Sequence, residues 1–315
     1  MKFRSFGKTG IQVSEVGFGA WAIGGSSYGP TEDRVSIQAL KKALDLGVNF
    51  FDTADVYGNG HSEELIGKTF QGIREQVVIA TKGGWDFYRS KERVKDLSGS
   101  YLKEALHKSL KRLKTDYVDL YQLHNPDLQT IQGGKIYNIL DHFKKEGKAR
   151  FVGISIHEVD EAREVILSGG TDAVQLVYNM IEQEMQSEML SLAKEKGIAV
   201  IAREPLACGF LTGKYTKDSV FGDKDHRKRW TKEELEEDLT DVGKVKFMAT
   251  RYKISLAQVA LKFVLSREEI SVVIPGAKTP QQVEENVISV EDGYLNKNDL
   301  SELHHIFEKE LEAKK

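Results

Sequence analysis

Eight short apolar runs, each followed by a stretch that could form an amphipathic helix, constrain this chain more than any other feature. The runs are Glu15–Gly19, Val48–Asp52, Val77–Thr81, Tyr117–His124, Phe151–Ser155, Ala173–Tyr178, Ala199–Glu204 and Ser271–Pro275. Helix-like segments lie between them at Thr31–Leu46, Ser62–Gln71, Tyr101–Leu113, Ile136–Glu146, Glu158–Ser168, Glu184–Lys196 and Ser255–Leu265, and Pro280 opens another after the last run. Strands that are apolar nearly throughout and alternate with helices imply a parallel sheet covered by helices. Eight such units favour a closed ring over an open doubly wound sheet. The expected fold is therefore α/β, a single (β/α)8 TIM barrel forming one domain over residues 1–315. Leu46-Gly47-Val48, Glu146-Gly147-Lys148 and Lys196-Gly197-Ile198 each place a helix-stopping glycine just before a strand. Thr31, Ser62 and Ser255 are candidate N-caps.

Three segments stand outside this rhythm. Lys2–Ser14 reads as an N-terminal β-hairpin turning at Gly7-Lys8-Thr9-Gly10, and Ser301–Lys315 as a charged C-terminal helix. Lys214–Glu237 is polar and reads as a long loop or lid between the seventh and eighth strands. The charge balance, 45 Lys plus Arg against 48 Asp plus Glu, offers no basic surface for nucleic acid. Cys208 is the only cysteine, so neither an intrachain disulfide nor a cysteine-based zinc site can form. No run approaches the roughly 18–20 apolar residues of a membrane span, and residues 1–6 lack a secretion signal. The expectation is a cytoplasmic protein without nucleic-acid or membrane partners; the oligomeric state is left open.

In a (β/α)8 barrel the site lies at the carboxyl ends of the strands and in the loops that follow. Read in that order, strand two delivers Asp52 and then Tyr57, strand three Lys82, and strand four His124. Alone, each has an ordinary explanation: a turn-forming Asp, a packed Tyr, a solvated Lys, a core His. Together they do not, because a buried Lys requires an acidic partner and Asp52 ends the adjacent strand. The group has a chemical logic. A Tyr phenol, with an unperturbed pKa of about 10, holds its proton near neutrality. A neighbouring ammonium favours the phenolate and makes the phenol a better acid. Asp52 would keep Lys82 charged, and a neutral His124 would polarise a carbonyl oxygen.

The runs Phe51-Asp52-Thr53-Ala54-Asp55-Val56-Tyr57-Gly58, Ala80-Thr81-Lys82 and Asp119-Leu120-Tyr121-Gln122-Leu123-His124-Asn125-Pro126-Asp127 resemble the tetrad signature of the aldo-keto reductases. The likeness extends from Gly17-Phe18-Gly19 to Glu285-Asn286. Pro205–Tyr215 is similar to the branch holding bacterial general-stress and sugar-type reductases and the potassium-channel β subunits. The resemblance implies an oxidoreductase that reduces an aldehyde, ketone or sugar carbonyl by hydride transfer from NAD(P)H. Tyr57 would be the general acid, supported by Asp52, Lys82 and His124, and no metal is implied.

No G-x-G-x-x-G dinucleotide fingerprint is present, so the cofactor would lie extended across the barrel mouth. The positions that the resemblance assigns to it are Gly19, Ala20, Trp21 and Asp52 near the nicotinamide end, with Ser155 and Gln175 on the carboxamide. Arg203 stands at the nicotinamide; Pro205, Leu206, Ala207, Cys208, Gly209 and Lys214 follow toward the pyrophosphate, and Gly276, Lys278, Gln282, Glu285 and Asn286 toward the adenosine. The start of the helix at Pro280, with Lys278, also suits a phosphate on physical grounds.

Three positions depart from the family pattern. Ile156-His157 follows Ser155, where many members have Asn or Arg. Arg203 stands where an aromatic commonly stacks on the nicotinamide; its guanidinium could stack instead, or pair with Glu204. Gly276 and Gln282 stand where a Lys and an Arg commonly hold the 2′-phosphate, a role open to Lys278 and a basic side chain of Lys224–Arg229. NADPH is the favoured cofactor, NADH the alternative.

Two other functions fit the same residues: a cofactor-binding redox-sensing subunit with slow turnover, and a non-redox isomerase or lyase that would bind no nicotinamide. The small-molecule substrate would be shaped by loops Ala22–Pro30, Gly84–Leu97, Asn125–Gly134 and Thr216–Glu237. Trp21, Trp85, Phe87, Tyr88 and Trp230 are candidates for an aromatic wall.

Overall fold

The eight apolar runs form one ring of parallel strands in the computed structural model. The structure describes all residues except Ser26, Ser90, Lys91, Ser187, Glu291, Lys314 and Lys315, and at 309–313 the backbone alone. The strands are β1 (Phe18–Gly19), β2 (Phe50–Asp52), β3 (Val78–Gly83), β4 (Val118–His124), β5 (Ala149–Ser155), β6 (Ala173–Val177), β7 (Ala199–Arg203) and β8 (Ile270–Val273). Each is hydrogen-bonded to the next in chain order. The ring is closed by parallel bridges from Val16 to Val273 and from Gly19 to Gly276. At that seam the Gly19 amide donates to the Pro275 carbonyl at 3.0 Å. A Cβ on Gly19 would lie 2.6 Å from the Ile274 carbonyl, so closure at this point requires glycine.

The principal helices are α1 (Asp33–Asp45), α2 (His61–Phe70), α3 (Gly99–Leu113), α4 (Lys135–Lys145), α5 (Val159–Ser168), α6 (Met189–Lys196), α7 (Leu256–Leu265) and α8 (Pro280–Ile288). Each buries an apolar stripe against the ring, as α1 does with Ala39, Leu40 and Ala43. The hairpin strands Phe3–Ser5 and Gln12–Ser14 plug the amino-terminal end of the barrel. Phe6 and Val13 join Phe50, Ala80, Leu120, Ala173, Ala199, Ile201 and Val272 in the core inside the ring. Arg4 fixes the plug by donating to the carbonyls of Leu265, Arg267 and Ile270.

Local signals at the helix ends are mixed. Ser255 does cap α7, accepting from the Gln258 amide at 3.2 Å while Gln258 Oε1 accepts from the Ser255 amide, an arrangement that contributes about 1 kcal/mol. Thr31 does not cap α1, which starts at Asp33 behind Glu32. Ser62 lies inside α2, behind left-handed Gly60, and its hydroxyl instead donates to the Ala20 carbonyl at 2.9 Å. The expected lid is shorter than its polarity suggests. Thr231 and Glu234 form a capping box that opens a helix over Lys232–Val245, and only Leu235, Val242 and Val245 on it are buried. So sparse an apolar stripe reads as loop.

The expected helix 184–196 divides into a 3₁₀ turn, Glu184–Gln186, and α6. The terminal helix starts at Lys297 and runs to Ala313. Of the expected segments, residues 314–315 of that helix, Ser187 of the 184–196 helix, and Ser26, Ser90 and Lys91 of the pocket loops lie outside the described residues. No helix among the described residues is long and apolar enough to cross a membrane.

Candidate active site

Strand parity decides what faces the barrel mouth. Successive side chains alternate between faces. Phe50, Ala80, Leu120, Ala173 and Ile201 point into the ring, so two residues further along Asp52, Lys82, Gln122, Gln175 and Arg203 do the same. His124 follows Gln122 by the same step. The intervening Phe51, Tyr121, Leu123, Val174 and Leu176 pack outward under the helices.

The four expected residues converge. Lys82 Nζ donates to Asp52 Oδ1 at 2.5 Å, to the Thr53 carbonyl at 2.8 Å and to the Tyr57 hydroxyl at 3.3 Å. The Tyr57 and His124 rings meet edge to face, with centroids 6.0 Å apart. Tyr57 is carried by the turn after β2, where Gly58 takes a φ of 61°. A Cβ there would be 2.2 Å from the Gly24 carbonyl, which locks this turn to the loop after β1. Trp21 from that loop stacks on Tyr57 at 5.8 Å.

Burial and charge oppose each other here. Burial pushes the Tyr57 phenol up; the Lys82 ammonium pulls it down but does not overcome burial. The expected effect of Lys82 is thus present, a pull toward the phenolate, but burial outweighs it and the net shift is upward. Burial would lower Lys82, but Asp52 and the Tyr57 oxygen outweigh it and hold the ammonium charged. Burial, and next the Lys82 and Arg203 charges, push His124 well below the usual imidazole value, so its ring is neutral near pH 7. Its Nδ1 is buried with no hydrogen-bond partner among the described residues.

The sequence reading missed the rest of the Asp52 shell. Gln122 and Gln175 donate to Asp52 Oδ2 at 3.2 and 2.8 Å. Parity alone could have found Gln122, two residues before His124 on the same face. Gln175, expected on a carboxamide, thus turns its Nε2 to Asp52, beside Ser155, its register partner on β5. Tyr88 also differs from expectation. Its hydroxyl accepts from Arg112 at 3.0 Å and its ring lies under Lys108, so it packs on α3 instead of walling the mouth.

The remaining positions lie along the rim from β5 to β1. Ala20 follows Gly19 and donates its amide to the Asp52 carbonyl at 2.8 Å. Arg203 pairs with Glu204, donates to the Ile156 carbonyl at 3.2 Å and meets His157 Nδ1 at 2.8 Å. After Pro205, Leu206 is followed by Ala207, Cys208 and Gly209, all with left-handed backbones. Of seven non-glycine residues with positive φ among the described residues, five (Asn59, Asn125, Glu204, Ala207, Cys208) are in loops that follow the carboxyl ends of the ring strands, and the other two terminate helices. Strained backbone of this kind clusters at ligand-binding and active sites in proteins generally. The turn is closed by the Ala207 and Gly209 amides, which donate to the Glu204 and Leu206 carbonyls at 2.9 and 2.8 Å.

At the next strand, Lys278 donates its backbone amide to Gln282 Oε1 at 2.7 Å and its ammonium to the Tyr28 carbonyl. Gly276 adjoins Gly19 across the seam and accepts from Asn286 Nδ2 at 3.5 Å. Glu285 and Lys214 are exposed. Segment 224–230 straps this arc. Arg227 is bound to both Asp225 oxygens and to the Cys208 carbonyl at 3.0 Å, and His226 lies on Trp21 at 4.7 Å. Arg227 and Lys228, which pairs with Asp223, are therefore engaged within the strap. Lys224 and Arg229 are exposed, as is Lys228. A left-handed turn at Ala207, Cys208 and Gly209, a lysine at a helix start and an unpartnered imidazole nitrogen fit an extended dinucleotide. Among the described residues no group of three or more His, Cys, Asp and Glu side chains could hold a metal ion.

Known proteins share both sequence and fold with this chain. Residues 15–308 match the model of the Aldo/keto reductase family. Aldo-keto reductase YhdN of Bacillus subtilis is 34% identical over 98% of this chain and 94% of its own. An NADH-specific methylglyoxal reductase of Escherichia coli is 32% identical over 92% of this chain and 94% of its own. The solved holo form of aldo-keto reductase AKR11C1 from Bacillus halodurans superposes with a TM-score of 0.82 at 27% identity, covering 97% of this chain and 96% of that one. With the tetrad's four residue types gathered at the mouth of a closed (β/α)8 barrel, the chain belongs to the aldo-keto reductase family.

Proposed function

We propose that this protein is an NADPH-dependent reductase of aldehyde, ketone or sugar carbonyls with Tyr57 as proton donor. The observation that carries the reading is the Lys82 ammonium held between Asp52 at 2.5 Å and the Tyr57 hydroxyl at 3.3 Å. The nicotinamide, when bound, supplies hydride to the carbonyl carbon. Negative charge then develops on the carbonyl oxygen, and the Tyr57 hydroxyl hands that oxygen its proton. Lys82 stabilises the phenolate left behind, and Asp52 keeps Lys82 charged. His124, neutral, donates a hydrogen bond to the same oxygen. Burial holds the proton on Tyr57 until the oxyanion forms, which suppresses its loss to water.

Ser155 and Gln175 are assigned to the nicotinamide end, Pro205–Gly209 and Lys214 to the pyrophosphate, and Lys278 with Gln282, Glu285 and Asn286 to the adenosine end. Lys278 is the basis for preferring NADPH. NADH is the alternative, the cofactor in the name of one relative. The same reading places the enzyme in the cytoplasm, which fractionation checks. A redox-sensing subunit is the disfavoured alternative.

The test is fluorescence titration with NADPH and NADH, followed by cofactor-oxidation assays over a panel of carbonyls and sugars. Tight NADPH binding with multiple turnovers is expected. Binding with a single slow turnover would favour the sensor, and no nicotinamide binding would overturn the redox reading.

A further inference from the structure

Tyr57 and His124 are each followed closely by an asparagine with a left-handed backbone, and each asparagine holds a cation. Asn59 (φ 54°) lies two residues after Tyr57, and its Oδ1 accepts from Arg93 Nη2 at 3.0 Å. Asn125 (φ 56°) directly follows His124, and its carbonyl accepts from Lys95 Nζ at 2.5 Å. Both cations belong to a small antiparallel hairpin following β3, formed by Trp85–Asp86 and Val94–Lys95. The Lys95 ammonium also lies 5.1 Å from the centroid of the Trp85 ring. All these partners are neutral. Among the described residues, neither Arg93 nor Lys95 has a carboxylate within ion-pair distance.

Nearby acids are occupied elsewhere. Asp86 and Asp96 face Arg89, Glu204 pairs with Arg203, Asp127 caps the Thr130 amide, and Glu161 accepts from the His157 and Glu158 amides. Glu92 lies in the turn of the hairpin itself. A cation held by neutral acceptors keeps its full charge for a ligand, and an exposed one is already solvated, so holding it there costs little desolvation. An arginine fork matches carboxylate or phosphate oxygens, and a lysine adds a point charge. Lys95 is close enough to His124 for its charge to help depress the imidazole pKa, and Arg93 is anchored two residues past Tyr57, so both cations stand on the side of the mouth where Tyr57 and His124 would bind a carbonyl.

Building on the reductase reading, we infer that the substrate is a small carbonyl compound bearing an anionic group, a carboxylate or a phosphate, bound by Arg93 and Lys95 over the β2–β4 arc of the rim. The cofactor positions from β5 to β1 face it from the other side. The substrate thus lies between a cationic clamp and the nicotinamide end, and its charge sets the distance of its carbonyl from Tyr57.

The test compares kcat/KM within matched pairs: 4-oxobutanoate against butanal, and glyceraldehyde 3-phosphate against glyceraldehyde. The anionic member should be favoured by about tenfold or more, and the advantage should shrink as ionic strength rises. The pair showing the larger ratio tells carboxylate from phosphate. The double substitution Arg93→Met/Lys95→Met should bring the ratio toward one. Arg93→Glu/Lys95→Glu should favour the cationic betaine aldehyde over 4-oxobutanoate. NADPH titration of each variant checks that it is folded. Equal kcat/KM for charged and neutral aldehydes in the unsubstituted enzyme, or a ratio unchanged in the double variant, would overturn the inference and leave the reductase reading intact. Absence of turnover on every carbonyl would overturn both.

Discussion

The Lys82 ammonium donates to the Tyr57 hydroxyl at 3.3 Å while its shorter bond, 2.5 Å, goes to Asp52. The order of these distances implies that Lys82 belongs to Asp52 in the resting protein and shifts toward Tyr57 only as the phenolate forms. Tyr57→Phe should therefore bind NADPH nearly as before yet lose carbonyl reduction by about 10²- to 10⁴-fold in kcat. Lys82→Met should also lose turnover, and should lower stability by about 3–5 kcal/mol, because Asp52 is left buried without its counter-ion. Steady-state kinetics and urea unfolding separate the two effects. Unchanged turnover in Tyr57→Phe would remove it as the acid.

His124 carries a second expectation. Its ring is neutral, because burial and then the Lys82 and Arg203 charges depress its pKa well below the usual imidazole value. Reduction should consequently show no loss of rate from His124 protonation between about pH 7 and 6, where an ordinary histidine titrates. His124→Ala should lower kcat by about 10²- to 10³-fold, the usual effect of losing one donor to a developing oxyanion. A rate that falls across that pH interval, with the fall absent from His124→Ala, would show that the imidazole charges in the working range.

The barrel was legible because eight apolar runs alternate with helix-like stretches, and the tetrad because Asp52, Tyr57, Lys82 and His124 stand at or just after the ends of three neighbouring runs; parity explains why they face the mouth. Two-residue periodicity along β2, β3 and β4 turns the apolar Phe50, Ala80 and Leu120 inward and, one step on, Asp52, Lys82 and Gln122. A buried lysine beside a strand-end aspartate then leaves few alternatives to an ion pair. What stayed hidden depends on tertiary partners. Thr31 and Ser62 look like caps, but their hydroxyls are taken by the distant carbonyls of Ile23 and Ala20. The Lys232–Val245 helix lies in a stretch whose charges mask three buried residues. Arg227 reads as a free lid cation, whereas Asp225, two residues away, occupies it. The pull of Lys82 on Tyr57 was visible in the sequence, whereas the burial that outweighs it was not, because no spacing rule measures burial.

Lys278 bears on cofactor choice. Its ammonium donates to the Tyr28 carbonyl, and burial lowers its pKa, so it stands partly desolvated beside the start of α8. A 2′-phosphate brought there would replace a neutral carbonyl with a charged acceptor, worth roughly 1.5–3 kcal/mol. Lys278→Met should raise the KM for NADPH by about tenfold or more while changing that for NADH little. Parallel kinetics with the two cofactors check this, and an equal effect on both would discard the 2′-phosphate role.

Asp55, two residues before Tyr57, is fully buried, and neither carboxyl oxygen has a hydrogen-bond partner among the described residues. Burial, and next the nearby Glu63 charge, raise its pKa well above the ordinary carboxylate value against the opposing pull of Arg112. Glu63 is itself held by Thr81 at 2.5 Å and Arg112 at 2.7 Å. Folded Asp55 thus keeps a proton that the unfolded chain gives up above about pH 4. From there upward the native state binds more protons than the unfolded one, so Asp55 subtracts stability by up to about 1.4 kcal/mol per pH unit until its raised folded pKa is passed. Asp55→Asn keeps the shape and needs no proton. Its stability relative to the unsubstituted protein should therefore climb as pH rises from 5 to 8, which urea unfolding at both values measures. A difference between the two proteins that does not change with pH would mean that Asp55 is ionised in the fold and held by partners other than those seen here.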